Sequence, residues 1–181
     1  MNINISNKKI AIPLIAIILI IVLAVSLILI LNHKSQPTQL TSNDNSFRIT
    51  IPSKIKFERK STDTLDIFSK KDEMILSSTV MKKDRDVNLS DVAALEMAGL
   101  SNNKSNLDNL SELNKIDLKN YEAYKYSYTY FDQEYNNNFY VEIVWIKTDK
   151  NIYVLDLEVI TKNQEKYKDL FNEIINSFEE I

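Results

Sequence analysis

Oxygen-bearing side chains recur at alternate positions in Asp84-x-Asp86-x-Asn88-x-Ser90, the way calcium loops present their ligands. The rest of a calcium loop is missing. Its sixth position is Leu89 rather than glycine, and its twelfth is Leu95, with Glu96 one residue late. A charged turn entering a helix, with Asn88 as the cap and Asp91 three residues on, accounts for the same residues without a metal. Calcium or small-ligand binding therefore stays an alternative, and no metal ligand is assigned.

Carboxylates are the second candidate. Asp156 and Glu158 alternate on one face of the last strand, with Glu142 expected across from them. Paired acids of this kind carry out glycoside hydrolysis. A solvated face with cross-strand lysine partners explains them equally. A serine–lysine nucleophile pair is open to the composition, but no spacing singles one out. No catalytic residue is assigned; the chain is read as non-enzymatic, with an envelope hydrolase using paired carboxylates as the competing class.

The third candidate is a ridge. Tyr124, Tyr126, Tyr128 and Tyr130 fall at a strict period of two, which on a strand places four rings on one face over about 20 Å. Ala123, Lys125, Ser127, Thr129 and Phe131 form the other, smaller and more polar side. Tyrosine is amphipathic, so the ridge either packs beneath a helix with its hydroxyls at the rim or stays open to bind an envelope protein or a glycan.

Composition removes most other chemistry. The 181 residues contain no cysteine, one histidine, one glycine and three prolines. No thiolate site, disulfide or lipid-bearing cysteine can exist. One glycine, Gly99, cannot build a phosphate loop or a dinucleotide fingerprint. One histidine, His33, precludes a multi-histidine zinc site. A formal charge of −3 argues against nucleic acid. No cofactor is implied.

What positions these residues begins with a membrane segment. Ile10 to Leu31 is 22 residues without a charge, about 33 Å as a helix and long enough to span the hydrocarbon core. A cleaved signal peptide has a shorter apolar run and a small-x-small site, whereas here the run leads directly into Asn32-His33-Lys34. Lys8, Lys9 and the terminal amine precede it, which orients residues 1–9 to the cytoplasm and the remainder outside. Setting aside Lys8, Lys9 and Lys34 leaves 19 basic against 25 acidic residues, or −6, so the outer part is held off an anionic surface. The bilayer is thus the one expected partner of residues 10–31, in a single-pass cell-membrane protein. Residues 32–45, polar except for Leu40, read as a flexible linker of about 45–50 Å reach.

The outer domain is expected over 46–181. Period-two patterning predicts strands at Phe47–Ile51, Ile55–Arg59, Thr64–Ser69 and Met74–Met81. A helix is expected from Leu89, stopping near Gly99, followed by an Asn/Ser-rich loop over 101–111. Further strands follow at Glu112–Lys119, Tyr121–Phe131, Phe139–Lys147 and Ile152–Ile160, the third apolar on both faces and so central. Thr161 to Gln164 reads as a capping box. The final helix then places Tyr167, Leu170, Phe171, Ile174, Phe178 and Ile181 on one stripe. The class is α+β.

The opening Phe47-Arg-Ile-Thr-Ile-Pro52, the mid-chain helix, the long hairpin and a last helix closing on Ile175-Asn-Ser-Phe178 resemble the PsbP/Mog1/DcrB-like superfamily. That group includes PsbP-related envelope proteins of low-GC Gram-positive bacteria. The resemblance covers residues 46–181. It implies an antiparallel sheet sandwiched by helices and an accessory or binding role. It transfers no catalytic residue, and the anchor argues against a photosystem role.

Overall fold

The computed structural model describes residues 22–23, 36–60, 64–69, 74–83, 87–103 and 106–181. The chain divides into two units, Met1–Gln36 and Pro37–Ile181. Among the described residues no helix is long and apolar enough to cross a membrane. The span read over 10–31 falls outside them, apart from Val22 and Leu23, as does His33.

In the second unit the elements run β1 (Thr38–Thr41), β2 (Phe47–Ile51), β3 (Glu58–Lys60), β4 (Asp66–Ser69), β5 (Met74–Lys82), α1 (Leu89–Asn103), β6 (Leu107–Asp108), β7 (Asn114–Leu118), β8 (Tyr121–Asp132), β9 (Asn137–Lys147), β10 (Asn151–Ile160), a 3₁₀ turn (Thr161–Asn163), α2 (Gln164–Asn176) and β11 (Glu179–Glu180). Every strand pairing is antiparallel. The main sheet is ordered β3-β4-β5-β10-β9-β8-β6, with β7 also on β8, and a small sheet is ordered β1-β2-β11. β9 is central and buried on both faces from Phe139 to Ile146, because its residues are apolar at odd and even positions alike.

The two faces carry separate cores. On one, α2 lays down Tyr167, Leu170, Phe171, Ile174 and Ile175, a helical stripe, against Val144, Ile146, Tyr153, Leu155 and Leu157. On the other, α1 buries only Leu89 and Ala93 over Tyr126, Tyr128, Ile143 and Trp145, with Val92, Met97 and Leu100 half-buried. The helix-sandwiched sheet expected from the sequence is present.

The small sheet is fastened to the main one by rings. The ring centroids of Phe47, Tyr153 and Phe178 lie 5.1–5.5 Å apart pairwise, and Tyr121 stands edge-on to Phe178 at 5.4 Å. Around them the Glu180 carboxylate accepts hydrogen bonds from Thr148 (2.7 Å) and Tyr153 (3.0 Å).

Four local expectations are corrected. The linker read to residue 45 contains β1, whose Leu40 packs on the core and whose residues pair with β2 from Thr38↔Ile51 to Thr41↔Arg48; pairing with a neighbour overrides polar composition. α1 runs through Gly99 to Asn103, and nothing lies within 4 Å of a Cβ placed at that glycine, so no contact stops the helix there. Thr161 caps nothing: its hydroxyl donates to the Asn138 carbonyl at 2.9 Å, and α2 starts after a 3₁₀ turn. Finally, α2 ends at Asn176. The Ser177 hydroxyl donates to the Ile174 carbonyl (2.6 Å) and accepts from the Thr50 amide (2.7 Å), turning the chain into β11. Phe178 is therefore buried off the helix, and Ile181 is exposed.

Truncating a ring of this cluster removes shared packing, so Phe178→Ala should lower unfolding stability by about 3–5 kcal/mol. Ile181→Ala, three residues on, should change it by less than about 0.5 kcal/mol. Equal midpoints for the two variants in chemical denaturation would contradict the ring cluster.

Candidate functional site

The tyrosine ridge lies on the α1 face of β8. Tyr126 and Tyr128 are 1% and 4% exposed, whereas Tyr124 and Tyr130 are half-buried. Antiparallel register sets Tyr126 opposite Ile143 and Tyr128 opposite Val141, which explains why α1 encloses the middle of the ridge and leaves its ends at the rim. Beneath the helix the Tyr126 hydroxyl and the Trp145 indole nitrogen are both buried. Burial, followed by the Glu96 charge, pushes the Tyr126 phenol up to about 12, partly offset by the indole N–H facing it. Burial and then the Asp156 charge push Tyr128 higher still.

Beyond the end of α1 the rings continue. Tyr130 stacks on Phe139 (5.6 Å between centroids), and Tyr135 meets Phe139 edge-on at 6.0 Å. Tyr135 and Phe139 line an apolar cleft of about 390 Å³ together with Phe68, Ile75, Asn137, Glu158 and Ile160. Register explains the grouping: Phe68 pairs with Ile75, Ile75 with Glu158 and Glu158 with Val141, one row across four strands. Tyr135 is 66% exposed. In the row, Glu158 accepts a hydrogen bond from the Tyr130 hydroxyl at 2.8 Å. Burial first, and then this bond, raise the Tyr130 phenol well above its ordinary value.

Asp156 and Glu158 do share this face, but Glu142 does not join them. It pairs with Leu157 and points to the α2 face, because adjacent positions of a strand face opposite ways. There it is 4% exposed. One oxygen accepts from Lys125 Nζ at 3.1 Å and the other from the Tyr140 hydroxyl at 2.6 Å. Burial and then this bond raise the Tyr140 phenol, partly offset by a hydrogen bond from Ser127. The Glu142 group opens into a polar cleft of about 310 Å³ whose other walls include Ser111, Asn114, Lys168 and Asn172. The sequence signal for it was the single acid in Tyr140-x-Glu142-x-Val144-x-Ile146, an otherwise apolar face.

Asp84 and Asp86 lie outside the described residues. Asn88 serves as a helix cap, its side-chain oxygen accepting from the Ser90 amide at 3.1 Å. Among the described residues no group of three His, Cys, Asp or Glu is placed to hold a metal.

Tyr126, Tyr128, Tyr130, Tyr140 and Tyr153 have raised phenols. Their free value near 10 applies to the unfolded chain. The unfolded state therefore loses these protons first, and stability, complete below about pH 10, falls as pH rises through the folded values. Tyrosinate absorbance should show these five staying protonated past pH 10 and ionising together with loss of structure. A single wave of all nine tyrosines of the chain near pH 10 with the fold intact would contradict their burial.

No protein-family model matches the sequence, and no curated protein matches it. Solved structures do. Cyanobacterial PsbP (CyanoP) from Synechocystis sp. PCC 6803 is similar at a TM-score of 0.59 and 12% identity, over 81% of this chain and 94% of that one. LpqN of Mycobacterium tuberculosis, described as involved in cell envelope biogenesis, is similar at 0.51 and 16%, over 80% and 84%. The Pseudomonas aeruginosa protein PA94, of unknown function, is similar at 0.50 and 10%, over 79% and 96%. At such identities the likeness concerns the fold alone: this chain has a PsbP-like fold.

Proposed function

We propose that the chain is a membrane-anchored, extracytoplasmic binding module of the cell envelope without catalytic activity. Residues 10–31 are its anchor, and its docking surface is the end of the α1 face that α1's described side chains do not cover. The observation that carries this reading is the apolar cleft walled by Phe139 and Tyr135, with one carboxylate, Glu158, in its wall and Tyr130 stacked behind Phe139. Aromatic side chains beside an isolated acid suit a segment of a partner protein that brings apolar and basic side chains together. Asp132 and Glu134 on the same hairpin add attraction of the same sign at long range. The envelope role described for LpqN, a protein of the same fold, is consistent with this setting.

The anchoring half is tested by thiol labelling. Single cysteines at Ser6 and at Gln39, an exposed β1 residue, are treated on whole cells with an impermeant reagent. Position 39 should label and position 6 should not; the reverse pattern would invert the topology. Ser42 does not suit this test, because its hydroxyl is buried and accepts from the Ser46 and Phe47 amides.

The docking half is tested by photo-crosslinking in intact cells. A crosslinking residue at position 137, in the cleft wall, should give a discrete protein adduct that is lost with Tyr135→Ala. One at position 120, at the opposite end of the hairpin, should not give it. No adduct at 137, or the same adduct from both positions, would refute the docking surface.

A further inference from the structure

On β9 the α2 face reads Tyr140, Glu142, Val144 and Ile146, and stability alone does not explain its one charged member. The row through Glu142 reads Ser127, Glu142, Leu157 and Leu76 across four strands, and the last two are buried aliphatics. Removing a carboxylate from water costs several kcal/mol, and an ion pair in that position is commonly no more stabilising than an apolar pair of similar size. Among the described residues Glu142 is the one charged side chain buried to this degree. Its two oxygens are held by Lys125 and Tyr140, so it is fixed in place rather than merely tolerated.

Three separate segments turn polar side chains toward it. β8 contributes Lys125 and Ser127, α2 contributes Lys168 and Asn172 one turn apart, and the stretch before and into β7 contributes Ser111 and Asn114. The rim is braced: the Ser111 amide donates to the Ser127 carbonyl at 2.8 Å, and the Ser127 amide donates to the Ser111 hydroxyl at 2.8 Å. The floor includes the Tyr140 ring, with Lys168 Nζ 5.2 Å from its centroid. Charge is balanced, since Lys125 faces Glu142 and Lys168 faces Glu165 at 3.3 Å. A free anion would meet the Glu142 carboxylate as well as two ammonium groups that are each already paired with an acid, Lys168 with Glu165 outside the cleft lining. A neutral polyhydroxylated ring suits the arrangement better. One hydroxyl can donate to a Glu142 oxygen while its neighbour accepts from Lys125, the amides of Asn114 and Asn172 offer both a donor and an acceptor, and an aromatic ring lies beneath. The volume, about 310 Å³, is at the lower bound for small-molecule pockets and suits a single sugar ring.

We propose that the Glu142–Lys125 cleft is a binding site for one neutral saccharide residue. It lies on the opposite face from the docking surface and stands or falls independently of it.

The test uses the full chain in a detergent without a sugar head group, with glucose, galactose and N-acetylglucosamine as probes and saturation-transfer NMR as the readout. At least one probe should bind saturably. Glu142→Gln, which keeps the shape and removes the charge, should weaken that binding about tenfold, the effect of losing one charge-assisted hydrogen bond. Asn172→Ala, on the outer side of α2, should weaken it without altering the thermal midpoint, which separates loss of the site from loss of the fold. Absence of saturable binding for all three probes would overturn the proposal. So would binding that neither variant affects, or a response to inorganic phosphate in place of the sugars.

Discussion

The contact of Phe47, Phe178 and Tyr153 is the constraint on which the rest of the domain depends. Phe47 opens the domain's second strand, Phe178 follows its last helix, and Tyr153 stands in the middle of the main sheet. Joining them closes the two distant ends of the second unit onto one sheet face. Because Phe178 must reach this cluster, α2 has to stop at Asn176, and Ser177 makes the stop by binding both Ile174 and Thr50. The position of α2 on the sheet follows, and with it the strip over Lys125, Ser127 and Glu142 that the helix edge lines only with Lys168 and Asn172. Closure of the ends and the polar cleft are thus parts of one arrangement.

The two faces are finished differently. The α2 face is a filled core with one ionic exception. The α1 face is thinly covered: its helix leaves Leu95 exposed and seats only Leu89 and Ala93 fully. Part of the aromatic content of β8 and β9 is consequently core, and part is rim. Tyr126 and Tyr128 behave as packed residues whose hydroxyls lie in a low-dielectric layer. Tyr130, one pair of residues further along, is half-buried and reaches the Glu158 carboxylate. One strand pattern therefore yields two environments, divided by where the helix above it ends.

The features legible in the sequence were those set by local periodicity. The two-sided apolar run of Phe139–Ile146 marked the centre of the sheet, and the stripe from Tyr167 to Ile174 marked the buried side of α2. Asn88 as a cap was legible for the same reason, since its partner is two residues away. What was not legible depended on partners far along the chain. β1 is a polar segment that becomes a strand because β2 is beside it. Thr161 has the residue type of a cap, but a carbonyl on the preceding hairpin claims its hydroxyl. Glu142 shows the limit most clearly. Its alternation with Val141 and Ile143 was visible, yet which face held Asp156 and Glu158 depended on the register between β9 and β10, which no short window contains. The aromatic ridge was legible as a ridge, but the division of its rings between core and rim was set by the length of α1.

The main sheet also ends in a particular way. One border is β3, three residues long with the sequence Glu58-Arg59-Lys60, and the other is shared by the two-residue β6 and the short β7. Among the described residues neither border strand offers a long, flat, apolar row of free amides and carbonyls, the template on which sheets of neighbouring molecules join. The consequence is colloidal: copies crowded side by side can touch without their main sheets fusing into one. A domain rich in tyrosine and isoleucine can thereby be held at high local density and remain a set of separate molecules.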